Sequence, residues 1–288
     1  MKLLILGGTR FLGRHLAEAA VAAGHDLTLF HRGRTNPGVI PGTGEILGDR
    51  DGGLGVLRGH SWDAVIDTCG YVPRVVRQSV AEIEAGLYVF ASTISVYADY
   101  GVLGITEESP RKQPPPEEER TEEVTPETYG WLKALCEDEM PERSLVVRPC
   151  ILAGPHDYTD RFTWWLRQVE KGGEVVAPGR PGRPVQVLDV RDLAVWLLGM
   201  VERGRTGIFN TTGPDRPLTM GEMLETLRRA TGSDATFVWR EPEPDAEIPF
   251  WIPEEKNGFH TIDSRKARAE GLVCRPLLRT ALDTLDSV

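Results

Sequence analysis

Short apolar runs alternate with helix-spaced segments through the first half of this 288-residue chain, and that alternation leaves few folds open. Residues 3–6 are apolar without a break and end at glycine, as a strand covered on both faces must be. Phe11, Leu12, His15, Leu16, Ala19, Ala20 and Ala23 then recur at three- and four-residue spacing as far as Gly24, which predicts an amphipathic helix with a glycine stop. Residues 27–30, 64–66, 87–90 and 145–147 repeat the strand pattern, with helices expected near 73–85 and 127–140. Repeats of this kind predict a parallel sheet with right-handed crossovers, an α/β fold of the Rossmann-type doubly wound class.

Beyond residue 150 the texture changes to short strands and helices rich in proline and aromatic residues, with helices expected at 190–203, 219–231 and 276–286. The expected division is a doubly wound core over 1–155, interleaved with later segments near 185–211, and a smaller α/β cap mainly over 156–288 that closes over the open sheet and shapes a pocket. Residues 98–126 break the rhythm. Pro114, Pro115 and Pro116 run into acidic residues, so this stretch reads as a solvated, mobile loop.

Charge narrows the partners. The formal net charge is -10, and residues 107–127 alone hold eight Glu against three Lys or Arg. With no basic run, neither nucleic acid nor a membrane surface is an expected partner, and a small-molecule substrate is. Cys69, Cys136, Cys150 and Cys274 are widely spaced, residues 1–7 read as a first strand rather than an export signal, and a cytoplasmic location with reduced thiols is expected. The six histidines lack paired ligand spacing, so no metal site is expected. Trp164 and Trp165 beside Arg161 read equally well as pocket lining or as core.

The turn after the first strand reads Gly7-Gly8-Thr9-Arg10-Phe11-Leu12-Gly13. Glycines at the mouth of a helix let a phosphate approach the backbone, where free N–H groups and the helix dipole favour an anion. Its place between a first strand and an amphipathic helix predicts a dinucleotide site. The second strand ends in His31, Arg32, Gly33 and Arg34, with no acid to accept from a ribose 2'-hydroxyl. Guanidinium groups favour a 2'-phosphate, so Arg32 and Arg34, with Arg10, point to NADP over NAD.

Tyr129 and Lys133 stand four residues apart on the helix expected at 127–140, so the phenol and the ammonium share a face. A lysine so placed favours the phenolate, and a tyrosine so tuned can give a proton to a carbonyl or take one from an alcohol. Ser92 and Thr93 put hydroxyls at the C-terminal end of a preceding parallel strand, the edge where open α/β sheets bind ligands.

These motifs resemble the extended short-chain dehydrogenases/reductases, in the NAD-dependent epimerase/dehydratase superfamily. Arg148-Pro149, Gly154-Pro155, Asp192-Leu193-Ala194 and Gly207-Ile208-Phe209-Asn210 follow in family order, so the resemblance spans residues 2 to about 232. It implies Thr93 as the catalytic hydroxyl, Tyr129 as acid/base, and Lys133 as the group that tunes the tyrosine and holds the nicotinamide ribose. It also implies an adenine contact at Asp49 and Arg50, cofactor lining at Thr68, Cys69, Gly70 and Ser92, and a nicotinamide wall at Pro149. Relatives commonly dimerise through the Tyr–Lys helix, which suggests a homodimer here.

Arg10 stands where the family usually has glycine, which is similar to an atypical branch containing reductase-like proteins and chloroplast RNA-binding relatives. Ile94-Ser95 replaces the Asp-Glu of sugar-nucleotide dehydratases, so that elimination chemistry is not expected. Ile151 stands at a substrate-contact position of galactose-type epimerases, and Arg183 lies two residues out of register with their arginine. The expectation is therefore an NAD(P)-dependent oxidoreductase, with a sugar-nucleotide epimerase as the alternative. A non-catalytic dinucleotide sensor or RNA-binding relative comes third.

Overall fold

The computed structural model describes residues 1–117, 121–243 and 247–287. It divides into a unit of Met1–Ala98, Glu107–Pro149 and Leu193–Asn210, and a second of Asp99–Thr106, Cys150–Asp192 and Thr211–Val288. The first unit is built on seven strands: β1 (Lys2–Leu6), β2 (Asp26–His31), β3 (Gly44–Leu47), β4 (Ser61–Asp67), β5 (Glu84–Ala91), β6 (Ser144–Pro149) and β7 (Gly207–Thr211). Their order is β7-β6-β5-β4-β1-β2-β3. The pairs β1–β2, β1–β4, β2–β3, β4–β5 and β5–β6 are all parallel, so the doubly wound Rossmann-type reading holds. Leu3, Leu4, Ile5 and Leu6 are fully buried, which explains the unbroken apolar run.

Helices α1 (Phe11–Ala22), α2 (Pro73–Glu82) and α3 (Pro126–Asp138) lie where the spacing placed them. The start of α3 is strongly specified. Thr125 and Thr128 cap each other reciprocally, Pro126 occupies the first turn, and Glu127 meets the positive end of the dipole.

Residues 98–126 differ from the mobile loop expected. Ala98 N donates to Pro110 O at 2.9 Å and Lys112 N to Val96 O at 2.7 Å, so the chain lays a short antiparallel edge beside residues 96–98. Ile105 is buried, and Glu122 accepts from Arg74 at 2.8 and 2.9 Å. Main-chain hydrogen bonds hold residues 98–112, and side-chain composition carries no trace of them. Residues 118–120 of the expected loop lie outside the described residues.

The second unit packs helix Arg161–Glu170 with helices Met220–Thr231 and Leu277–Leu285 around Phe162, Trp165, Met223 and Leu224. Trp165 is fully buried, its indole N–H donates to Pro249 O at 2.8 Å, and Trp164 meets it edge-on. Trp165 is core, and the half-buried Trp164 packs against it. Asp192 of the family-like Asp-Leu-Ala segment accepts from both the backbone and the side chain of Arg275, which anchors the C-terminal segment.

Candidate active site

Every residue singled out for cofactor or chemistry falls in the first unit, at or just after the C-terminal end of a strand or on the first turns of α1 and α3. The parallel register aligns those ends: Leu6 stands opposite Phe30 and Asp67, and Asp67 opposite Phe90.

At the end of β1, Gly7 and Gly8 have φ of +99° and +89°, the region open to glycine. A Cβ on Gly13 would lie 2.8 Å from Gly8 N, so α1 starts hard against the turn. Thr68 Oγ1 donates to Leu6 O at 2.8 Å and floors the turn, only 2.7 Å from where a Cβ on Gly7 would stand. The helix opens without a side-chain cap from Arg10 and without an acid in its first turn. Thr9 and Phe11 are buried, Leu12 is half-buried and Arg10 is exposed. That arrangement fits a pyrophosphate.

After β2, His31 is buried and its Nδ1 accepts from Gly33 N at 3.0 Å. Arg32 and Arg34 are exposed, with no hydrogen-bond or ion-pair partner among the described residues. Glu45 of β3 comes within 3.6 Å of His31 Nε2 and accepts from Gly38 N at 2.7 Å. No pattern in β2 pointed to this acid, because it arrives from the neighbouring strand.

Arg50, expected at the adenine, is engaged inside the protein. Its guanidinium forms a bidentate pair with Asp67 at 2.8 and 2.7 Å and donates to Ser79 Oγ at 2.9 Å. Asp49 is exposed and accepts from Asp51 N. Asp67 is fully buried and also accepts from Cys69 N and Tyr88 OH. Burial alone would raise its carboxyl, but the adjacent Arg50 outweighs that and holds it below the usual range. Burial pushes the Cys69 thiol up, so it lines the edge as an unreactive group.

Lys133 is 2% exposed. Its Nζ donates to Gly70 O at 2.6 Å and Ala91 O at 2.7 Å, just past the end of β4 and at the last residue of β5. The Phe90 ring lies 4.0 Å below it and the Tyr71 ring 5.3 Å away. Burial brings the ammonium down to about 8. The lysine is thus held by strand-end carbonyls. Tyr129, one turn earlier, is half-buried, and its ring centroid stands 6.3 Å from that of Tyr71. Nothing in the motifs singled out Tyr71, although it directly follows the Thr68–Gly70 stretch.

Thr93 caps the short turn Ile94–Val96, accepting from Ser95 N at 3.1 Å and donating to Ser95 Oγ at 3.2 Å. Ser92 beside it is 5% exposed, and its hydroxyl has no partner among the described residues. A buried orphan hydroxyl at a strand end is what a ligand would satisfy. Pro149 closes β6 and is buried. Gly130 lets α3 come down on this turn, since a Cβ there would stand 2.5 Å from Ser95 O.

All four cysteines are free. Among the described residues no cluster of His, Cys, Asp or Glu could hold a metal ion, and no helix is long and apolar enough to cross a membrane.

The profile of the NAD dependent epimerase/dehydratase family matches residues 3–211. The chain is 26% identical over 278 residues to the chloroplast stem-loop binding protein of 41 kDa b from Arabidopsis thaliana, covering 88% of this chain and 67% of that protein. Its fold is similar to that of the human epimerase family protein SDR39U1 with NADPH, at a TM-score of 0.73 and 19% identity over 100% of both chains. UDP-glucuronic acid 4-epimerase from Bacillus cereus with NAD superposes at a TM-score of 0.70 and 16% identity, over 100% of this chain and 96% of that one.

Proposed function

The chain belongs to the NAD dependent epimerase/dehydratase family, and on that premise we propose that it moves hydride between a nicotinamide cofactor and a carbonyl or alcohol carbon of a small molecule. The observation that carries this reading is Lys133. Burying an ammonium among strand ends costs stability that an apolar residue would not, and Tyr129 stands one helical turn away. A bound nicotinamide supplies or accepts the hydride. Tyr129 gives the proton to the nascent alkoxide oxygen, or removes it from an alcohol in the reverse direction. Lys133 supplies positive charge to the phenolate and hydrogen bonds to the ribose hydroxyls. Thr93 orients the reacting oxygen. The glycine turn and the N-terminus of α1 hold the pyrophosphate, with Ser92, Thr68, Gly70 and Pro149 lining the edge.

NADP is the cofactor favoured here, on the two exposed and unpartnered arginines after β2. Glu45 beside His31 is the observation that favours NAD, since a carboxylate there would repel a 2'-phosphate. Calorimetric titration of cofactor-free protein with NADPH and NADH tests both. Tighter NADPH binding is expected, with Arg32→Ala weakening NADPH about tenfold and NADH hardly at all. Equal losses would make Arg32 a bystander, and binding of neither nucleotide removes the catalytic reading. Cofactor that cannot be stripped would favour the epimerase, which returns its hydride within each turnover.

A further inference from the structure

Behind Lys133 lies a buried polar network that the proposed chemistry does not use. Glu137, one turn beyond Lys133 on the same helix, takes a bidentate pair from Arg148, with Nε to Oε1 at 2.9 Å and Nη2 to Oε2 at 2.6 Å. Arg148 Nη1 also donates to Tyr97 OH at 3.0 Å and to Glu107 O at 3.1 Å. Tyr97 OH donates to Asn210 Oδ1 at 2.5 Å, and Asn210 N donates to the Glu107 carboxylate at 2.8 Å. Tyr97 and Asn210 are fully buried and Arg148 is 1% exposed. Arg111 adds a second cation, donating to Glu137 Oε2 at 3.2 Å and to Ala134 O on α3 at 2.9 Å.

The members share a second property. All belong to the first unit, and four of them stand where the chain leaves or re-enters it. Tyr97 is one residue short of the exit after Ala98, and Glu107 is the first residue on return. Arg148 precedes the exit after Pro149, and Asn210 is the last residue before the final exit. Well-satisfied buried networks fix one arrangement, because each partner lost leaves a desolvated group behind.

We propose that Glu107, Tyr97, Arg148 and Asn210 are positioning residues for the Tyr129–Lys133 helix: acting through Glu137, they lock it to the chain's exit points, so that disturbing an exit point weakens cofactor binding at Lys133. The proposal rests on the reading of Tyr129 and Lys133 as the reacting pair. Removing Arg148 or Glu137 would strand a buried charge and unfold the unit, so the test uses Glu107, whose carboxylate bonds Asn210 and no residue of α3.

In the full chain without cofactor, Glu107→Ala is expected to speed amide hydrogen exchange over residues 126–138 about 3- to 10-fold, and to weaken NADPH binding by a similar factor. Glu107→Gln keeps an acceptor for Asn210 N and restores both to within about twofold of the natural chain. Faster exchange confined to residues beside 107 and 210 overturns the proposal. So does unchanged NADPH affinity in a protein that binds NADPH. If the natural chain binds no NADPH yet exchange over 126–138 rises, the lock stands and the reading of the reacting pair falls.

Discussion

Tyr129→Phe is expected to cut turnover by about 10²–10⁴-fold while leaving NADPH and NADH affinity within about twofold, because it deletes the proton that general acid–base catalysis moves and keeps the ring. The ring remains, so packing toward Tyr71, 6.3 Å away between centroids, is kept. No cofactor-cradling glycine or strand-end carbonyl is altered. The assay is oxidation of NADPH with any carbonyl compound that the natural chain reduces, paired with calorimetry of both proteins. Undiminished turnover in the Tyr129→Phe variant removes the tyrosine from the mechanism, whereas loss of nucleotide binding would reassign it to the cofactor pocket.

The second large effect is at Lys133, where activity and stability should move in opposite directions. Lys133→Met is expected to lose turnover by a factor on the order of 10² or more, since the phenolate loses its cation. Its effect on stability depends on pH. Burial lowers the ammonium from the ordinary 10.5 to about 8, so between those values the unfolded chain holds a proton that the folded chain has released. Stability therefore rises with pH across that window, and below pH about 8 the folded state carries the full cost of a desolvated charge, about 3 kcal/mol. Methionine removes that cost but leaves Gly70 O and Ala91 O without their donor, which takes back part of the gain. At pH 7 the variant should thus be at least as stable as the natural chain in urea unfolding, with the natural chain gaining on it as pH rises from 8 to 10.5. A variant several kcal/mol less stable at every pH would mean that Lys133 is there for the fold.

What could be read from the chain follows from how local each signal is. The glycine turn, α1 and the Tyr129–Lys133 face each rest on spacings of a few residues, and the structure keeps all three. Arg50 could not be read, because its partner Asp67 is 17 residues away and becomes adjacent only through the sheet order. Glu45 was hidden in the same way, on the strand beside His31. Residues 98–126 misled for a different reason: Pro110 and Lys112 are held through their main chain, about which their side chains say nothing. Glu137 was legible in principle, lying four residues after Lys133 as Lys133 lies four after Tyr129. Its meaning waited on Arg148.

The division of the chain has a consequence for how such a protein can be altered. Each unit is assembled from three separate stretches, and the backbone passes from one to the other five times. No single pair of cuts excises either one, so the second unit cannot be exchanged as a cassette for that of another family member. Each stretch would have to be transplanted with its entry and exit intact, and those junctions carry Tyr97, Glu107, Arg148 and Asn210. Altering the second unit of this chain has therefore to proceed by substitution, stretch by stretch, within an interlaced sequence.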